Sequence, residues 1–139
     1  MTLQAPPMNP RNDSLSRPAV FIVDDDPTVC RALARLLRSA GHLVETFGSA
    51  QAFLARDPLP EHGTLILDVC MPGTSGPELQ AELCARGSGL SIHFMSALDD
   101  AHVRDHVLAA GARSWFTKPI DGEALLALLE HRLEAGGAA

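Results

Sequence analysis

The sequence is poor in lysine, in paired cysteines and in long apolar segments. Lys118 is the only lysine among eleven fixed cations. The three cysteines show no C-x-x-C spacing, which argues against a disulfide framework or a zinc site and is typical of a reducing cytosol. No apolar run approaches the ~18 residues of a membrane span, and no signal-like segment opens the chain. We therefore expect a soluble, cytoplasmic protein with free thiols.

The balance of charge is acidic. Seventeen carboxylates oppose eleven cations, for a net charge of −6, which argues against direct binding to nucleic acid or to an anionic membrane. The length of 139 residues suits one compact domain. We expect a disordered tail at residues 1–18, a domain at 19–135 and a frayed end at 136–139. No second domain is visible after residue 135, as expected of a stand-alone domain or of a piece of a longer protein.

Short apolar runs alternate five times with helical patterns between these tails. This alternation is typical of an α/β fold with a parallel sheet covered on both faces. Right-handed crossovers favour the doubly wound, flavodoxin-like strand order 2-1-3-4-5. The predicted strands are residues 19–24, 42–47, 64–68, 90–96 and 113–117.

The first predicted helix has the clearest signals at its two ends. Asp26 is a good N-cap, Pro27 suits the first helical position and Gly41 suits the turn that ends the helix. Its spacing predicts one apolar stripe that faces the core, formed by Val29, Leu33, Leu36, Leu37 and Ala40.

Four of the five apolar runs end at, or just before, a carboxylate, hydroxyl or ammonium side chain that could take part in catalysis. Asp24 and Asp25 follow the first run, Asp68 ends the third, Ser96 ends the fourth and Lys118 follows the fifth. Because parallel strands point their carboxyl ends to the same edge of the sheet, where ligands of such folds bind, we expect these side chains to meet.

Three carboxylates in one small site repel one another unless a cation lies between them. All-oxygen ligands favour Mg²⁺ over Zn²⁺, with Mn²⁺ as a substitute. A hydroxyl and an ammonium beside that cation meet the electrostatic needs of phosphoryl transfer, with one carboxylate as the nucleophile. A lone Asp, Ser or Lys in such positions is more often a turn or surface residue, so the combination carries the hypothesis.

These residues, in this order, resemble the receiver domains of two-component response regulators. At the ends of the first and third strands the sequence is most similar to FixJ-type receivers. The likeness covers about residues 18–135 and includes Asp24-Asp25, the segment 68–76, Ser96-Ala97 and Lys118-Pro119.

The resemblance implies that Asp68 accepts a phosphoryl group from a histidine kinase or a histidine phosphotransfer protein. It implies that Asp25, Asp68 and the backbone carbonyl of Cys70 hold Mg²⁺, and that Asp24 acts through water. It also implies that Ser96 and Lys118 bind phosphate oxygens.

Trp115 matches the position of the family's aromatic switch residue, which turns inward when the hydroxyl of Ser96 moves toward the phosphate. A partly exposed sheet aromatic is the alternative. In this family the fourth and fifth helices and the fifth strand form the output face, so the resemblance leaves open a phosphorylation-linked homodimer through that face.

Two other functions share part of this pattern. A Mg²⁺-dependent phosphohydrolase similar to the haloacid dehalogenases would need an acid two residues after the nucleophile, where this chain has Cys70. A phosphorylation-independent interaction module would be expected to have lost one of the acids or Lys118. Neither Cys70 nor Leu98, two residues after Ser96, orients water well, so we predict slow loss of phosphate.

Two further groups of residues can be interpreted either as ordinary solvated surface residues or as functional ones. His102 and His106 are spaced for metal chelation on one helix face, but without a third ligand we expect solvated histidines. Arg31, Arg35 and Arg38 form a basic ridge on the first helix, which is either solvated or a surface for docking a kinase.

Overall fold

The computed structural model describes residues 19–138, and the side chains as far as residue 130. The predicted tail at residues 1–18 lies outside the described part. The predicted frayed end starts at residue 136, whereas the helical backbone continues to Ala138. The domain boundary at residue 135 therefore stays a prediction.

Five parallel strands form one sheet in the order β2-β1-β3-β4-β5, which confirms the predicted topology. Their predicted positions agree with the observed ones to within one residue at each end. The strands are β1 (Ala19–Val23), β2 (Leu43–Phe47), β3 (Thr64–Asp68), β4 (Ser91–Ser96) and β5 (Ser114–Thr117).

Helices follow each strand, and most begin at a side-chain cap. Asp26 accepts from the Thr28 amide, Ser49 from the Ala52 amide and Ser75 from the Glu78 amide in a full capping box. The helices are α1 (Pro27–Ser39), α2 (Ala50–Leu54), α3 (Gly76–Ala85), α4 (Ala101–Ala109) and α5 (Gly122–Ala138).

Apolar side chains cover both faces of the sheet, as expected for parallel strands. The layer that includes Phe53, Leu79 and Val107 lies on one face, and the layer that includes Leu37 and Leu125 lies on the other. The central strands β3 and β4 are buried along their whole length. This double cover leaves the carboxyl edge of the sheet as the place where polar side chains collect.

The apolar stripe predicted for α1 is partly wrong. The buried residues are Cys30, Leu33, Ala34 and Leu37, whereas Ala40 is exposed. Ala40 is the C-cap, where the chain turns away toward Gly41 at φ 96°. The inward face of α1 therefore includes Cys30 and Ala34, while Val29 and Leu36 lie at its margins and are only partly buried.

Gly76, at the start of α3, fits the carboxyl edge because it has no side chain. A Cβ at this position would overlap the backbone oxygen of Asp68 and would lie 3.0 Å from the ring of Phe94. The Gly76 amide donates to the carbonyl of Val69 at 2.9 Å. This close approach fixes the path of the chain directly after Asp68.

None of the helices between residues 19 and 138 combines the length and the apolar character that a membrane crossing needs.

Candidate functional site

Three of the predicted site residues are buried at the carboxyl edge of the sheet. Asp24 is 1% exposed, Ser96 4% and Asp68 5%, whereas Asp25 is exposed. The Asp24 amide donates to the Phe47 carbonyl at 3.1 Å, so the parallel pairing of β1 and β2 continues one residue beyond β1. This pairing places the Asp24 carboxylate inside the edge and leaves Asp25 open to solvent.

Lys118 joins two of these carboxylates. Its Nζ lies 2.8 Å from Oδ2 of Asp24 and 3.0 Å from Oδ1 of Asp68. The Lys118 amide donates to the Ser96 carbonyl at 2.8 Å, which fixes the backbone at the end of β5. Burial alone would lower the pKa of Lys118, but hydrogen bonds to Asp24 and Asp68 outweigh burial and raise it. The ammonium is therefore charged throughout the physiological range.

The acids gather closely enough to share one ion. One carboxylate oxygen from each of Asp24, Asp25 and Asp68 lies within 4.8 Å of the other two, and this is the one such group of possible metal ligands found among the described residues. Burial raises the pKa of Asp68 to about 6, and the Asp24 charge adds to this effect, while the hydrogen bond from Lys118 opposes it. One ammonium therefore compensates the cluster only in part.

Further contacts hold Asp24 in place. The Asp26 amide donates to Oδ1 of Asp24 at 2.9 Å. The Cys30 thiol donates to the Asp24 carbonyl at 3.4 Å, and burial, followed by the nearby Asp24 charge, raises the pKa of this thiol. Sequence reasoning predicts only a free thiol at Cys30, although its spacing from Leu33, Ala34 and Leu37 is that of a buried helical face.

Ser96 begins the loop that leads to α4. Its Oγ accepts a hydrogen bond from the Leu98 amide at 3.1 Å. Leu98 itself is 67% exposed. The hydroxyl oxygen thus accepts from its own loop, while its O–H remains able to donate to another acceptor.

Trp115 lies half-buried on β5, opposite Phe94 in the register with β4, two residues before the position that faces Ser96. Its ring stacks on Phe94 with centroids 6.5 Å apart and an interplanar angle of 29°. The indole Nε1 is buried without a hydrogen-bond partner among the described residues. Phe116 packs in the opposite layer, as strand alternation predicts.

Cys70 lies in the loop between β3 and α3 and is exposed. This loop and α4 enclose an open groove of about 490 Å³. The groove is mainly apolar, and its lining residues are Val69, Cys70, Met71, Pro72, Ser75, Pro77 and Val103. None of the acids of the cluster is among the residues that line this groove.

The remaining sequence candidates lie outside this cluster. His102 and His106 are exposed on α4, as expected for solvated histidines. Arg31 and Arg35 are exposed on α1, but Arg38 donates to the Val44 carbonyl at 2.8 Å and so connects α1 to β2. Sequence reasoning does not distinguish Arg38 from the other two because helical spacing does not reveal a partner on another element.

Comparisons with known proteins agree with this geometry. The family model for the response regulator receiver domain matches residues 20–130. The chain is 41% identical over 115 residues to the response regulator protein TmoT of Ectopseudomonas mendocina, covering 83% of this chain and 52% of TmoT. It is 37% identical over 114 residues to the transcriptional regulatory protein FixJ of Azorhizobium caulinodans, covering 82% of this chain and 54% of FixJ. The chain thus spans about half the length of these curated relatives.

A solved structure gives the same result. The response regulator receiver protein from Burkholderia phymatum superimposes with a TM-score of 0.71 at 40% identity, covering 85% of this chain and 96% of that one. The chain belongs to the family of response regulator receiver domains.

Proposed function

We propose that Asp68 is the phosphoacceptor of this receiver domain and takes its phosphoryl group from a phosphohistidine on a histidine kinase or a histidine phosphotransfer protein. The observation that carries the proposal is the position of Lys118, whose ammonium contacts both Asp24 and Asp68 at the open edge of the sheet. The ammonium can stay near the Asp68 oxygens while negative charge develops on a transferring group.

The donor set fits a divalent metal. Three carboxylates within 4.8 Å supply hard oxygen ligands, which suit Mg²⁺, or Mn²⁺ in its place. We assign Asp25, Asp68 and the backbone carbonyl of Cys70 as ligands and give Asp24 a role through water. When bound, the ion supplies positive charge that offsets the added phosphoryl group.

The transfer needs a nucleophile and no protein acid. An ionised oxygen of Asp68 attacks phosphorus and a P–O bond forms, while the P–N bond to the donor imidazole breaks with its electron pair going to nitrogen; a proton already on the other ring nitrogen lets the donor leave as neutral imidazole. Lys118 holds Asp68 in its ionised form by opposing the effect of burial on its pKa. The domain forms and loses its own acyl phosphate and turns over no separate substrate.

The face beside Lys118 offers a place for the phosphoryl donor. An apolar groove of about 370 Å³ runs between α1 and the segment after β5. The exposed Arg31 and Arg35 lie on the same helix. We propose that the acidic domain uses this groove and these cations to dock its kinase, in the cytoplasm.

Phosphorylation is proposed to act through Ser96 and Trp115. Moving the Ser96 hydroxyl to a phosphate oxygen would remove its bond to the Leu98 amide and release the loop that leads to α4. Trp115, half-buried on Phe94, would then change its packing. The face formed by α4, β5 and α5 is the proposed output and homodimer surface, and this part of the chain is proposed not to bind nucleic acid.

Intact-mass measurement after incubation with acetyl phosphate and Mg²⁺ tests the phosphoacceptor. We expect an adduct of ~80 Da on the wild type and none on Asp68→Asn. Asp26→Asn is the matched control, because it removes a neighbouring acid of the same edge while asparagine still caps α1. An adduct on Asp68→Asn, or none on the wild type, would contradict the proposal, and absence on the wild type would favour a phosphorylation-independent interaction module.

The hydrolase alternative makes a different prediction. A dehalogenase-like enzyme would turn over p-nitrophenyl phosphate many times, whereas a receiver domain would not. The position where such an enzyme needs its acid is occupied by Cys70. Sustained release of p-nitrophenol that depends on Asp68 would favour the phosphohydrolase over the receiver domain.

A further inference from the structure

The helix α4 is held to the rest of the domain by few apolar contacts. Val107 is its one fully buried residue, and Val103 is half-buried. The remaining side chains of the helix are exposed or only partly covered. Apolar packing of this extent leaves a helix easy to displace.

A buried polar contact fixes the C-terminal half of α4. Gln80 of α3 is 3% exposed, and its Nε2 donates to the Val107 carbonyl at 2.9 Å. The same carbonyl accepts from the Ala112 amide at 3.0 Å, in the turn that ends the helix. Gln80 thus joins two helices at the point where α4 is also best packed.

Among the residues whose side chains the structure describes, the polar contacts of the N-terminal half of α4 stay within its own segment. Asp100 accepts from the His102 and Val103 amides at 3.0 and 3.2 Å. Arg104 pairs with Asp99 at 3.1 Å, with both side chains exposed, and such pairs contribute little. Because all these partners lie between residues 99 and 104, they move with the helix and do not hold it to the sheet.

We propose that the Gln80 amide is a pivot for α4: it holds the C-terminal end of the helix on α3 while the N-terminal end moves with the Ser96 loop. Ser96 precedes the N-cap Asp100 by a short loop, so a change at Ser96 reaches that end first. One signal for this role is visible in the sequence, where Gln80 is a polar residue at a buried helical spacing, between Leu79 and Leu83. This inference rests on the proposed phosphorylation switch at Asp68. It adds the contact about which α4 moves when the switch operates.

The test compares Gln80→Met with Gln51→Met by hydrogen–deuterium exchange. Methionine keeps the length of the side chain and removes the donor, and the Val107 carbonyl keeps its bond from Ala112. Gln51 is the matched control, since it is exposed and its Nε2 contacts Thr74 at 3.2 Å, away from α4. Each protein is measured alone and with Mg²⁺ and beryllofluoride.

In the wild type we expect beryllofluoride to change exchange mainly at residues 101–104, with residues 106–112 little affected. In Gln80→Met we expect exchange at residues 106–112 to rise roughly three- to tenfold without any ligand, and the response to beryllofluoride to extend over the whole helix. Gln51→Met should match the wild type in both respects.

Unchanged exchange at residues 106–112 in Gln80→Met would overturn the pivot, as would a wild-type response of equal size at both ends of α4. The acetyl phosphate adduct is weighed on the same preparations. Its absence would refute the proposed function, while the comparison of the unliganded proteins would still decide whether Gln80 holds α4.

Discussion

The ammonium of Lys118 lies 2.8 Å from Oδ2 of Asp24, a carboxylate buried to 1% exposure, although 94 positions of sequence separate the two residues. The contact joins the end of β1 to the end of β5 across the edge of the sheet. It compensates a negative charge that would otherwise be costly to bury.

Removal of this ammonium should destabilise the metal-free domain. We expect Lys118→Met to lower the free energy of unfolding by about 2 kcal/mol, because Asp24 and Asp68 lose their cation. Mg²⁺ should stabilise this variant more than the wild type, since the ion then supplies the missing charge. Urea unfolding with and without Mg²⁺ measures both effects, with Lys118→Arg as the control that keeps the charge. Equal stabilisation by Mg²⁺ in wild type and Lys118→Met would contradict this account.

The raised pKa of Asp68 predicts how stability depends on pH. The folded state holds this proton with a pKa of about 6, above the ordinary value of 3.8, so the ionised carboxyl opposes folding above pH 6. Without metal, Asp68→Asn should therefore be more stable than the wild type at pH 7.5, by about 1 to 3 kcal/mol. The difference should shrink as the pH falls through 6 toward 4.

Urea unfolding of both proteins from about pH 4 to pH 8, in the presence of a chelator, gives this difference directly. The raised pKa of Lys118 places its own titration above this window. A difference that does not change with pH would show that the charge of Asp68 is not its source.

Leu98 and Cys70 predict a long-lived acyl phosphate. Neither side chain offers a strong acceptor to orient water, and Leu98 is 67% exposed beside the site. We expect Leu98→Glu to speed phosphate loss several-fold. Leu108→Glu, at another exposed leucine of the α4 region, should leave the rate unchanged. A wild-type lifetime of seconds, followed by intact mass, would refute the prediction.

Trp115 provides an internal reporter, because it is the only tryptophan in the chain. Its stacking on Phe94 should change when the Ser96 loop rearranges. We expect its fluorescence to respond to beryllofluoride in the presence of Mg²⁺ and to lose this response in Asp68→Asn. A fluorescence response that persists in Asp68→Asn would show that the change at Trp115 does not depend on the phosphoacceptor.

Gly76 should tolerate no side chain. In Gly76→Ala the new Cβ would meet the Asp68 carbonyl and the Phe94 ring, so we expect a loss of about 1 to 3 kcal/mol in stability and slower phosphorylation from acetyl phosphate. Gly48→Ala is the control, because no neighbouring atom lies within 4 Å of the position that its Cβ would take. Wild-type stability and phosphorylation rate in Gly76→Ala would contradict the close approach.

Strand order and the acidic cluster could be predicted from the sequence because both follow from a simple geometric rule. Parallel strands place Asp24, Asp68 and Lys118 at one edge whatever their separation in the chain. The roles of Cys30, Arg38 and Gln80 could not be predicted in the same way. Each depends on a side-chain contact with one particular carbonyl on another element or loop, and helical spacing gives the direction of a side chain without naming its partner.

The single lysine has a practical consequence for chemical labelling. An acylating reagent that modifies a lysine side chain in this protein must do so at the edge of the sheet, where the ammonium is 20% exposed and engaged by two acids. The rate of amine acylation at this position, separated from the α-amino group by peptide mapping, would then report how tightly the acids hold their counterion. A bound phosphoryl group or its mimic should lower that rate. The acylation rate of the single lysine would then report whether the site is occupied.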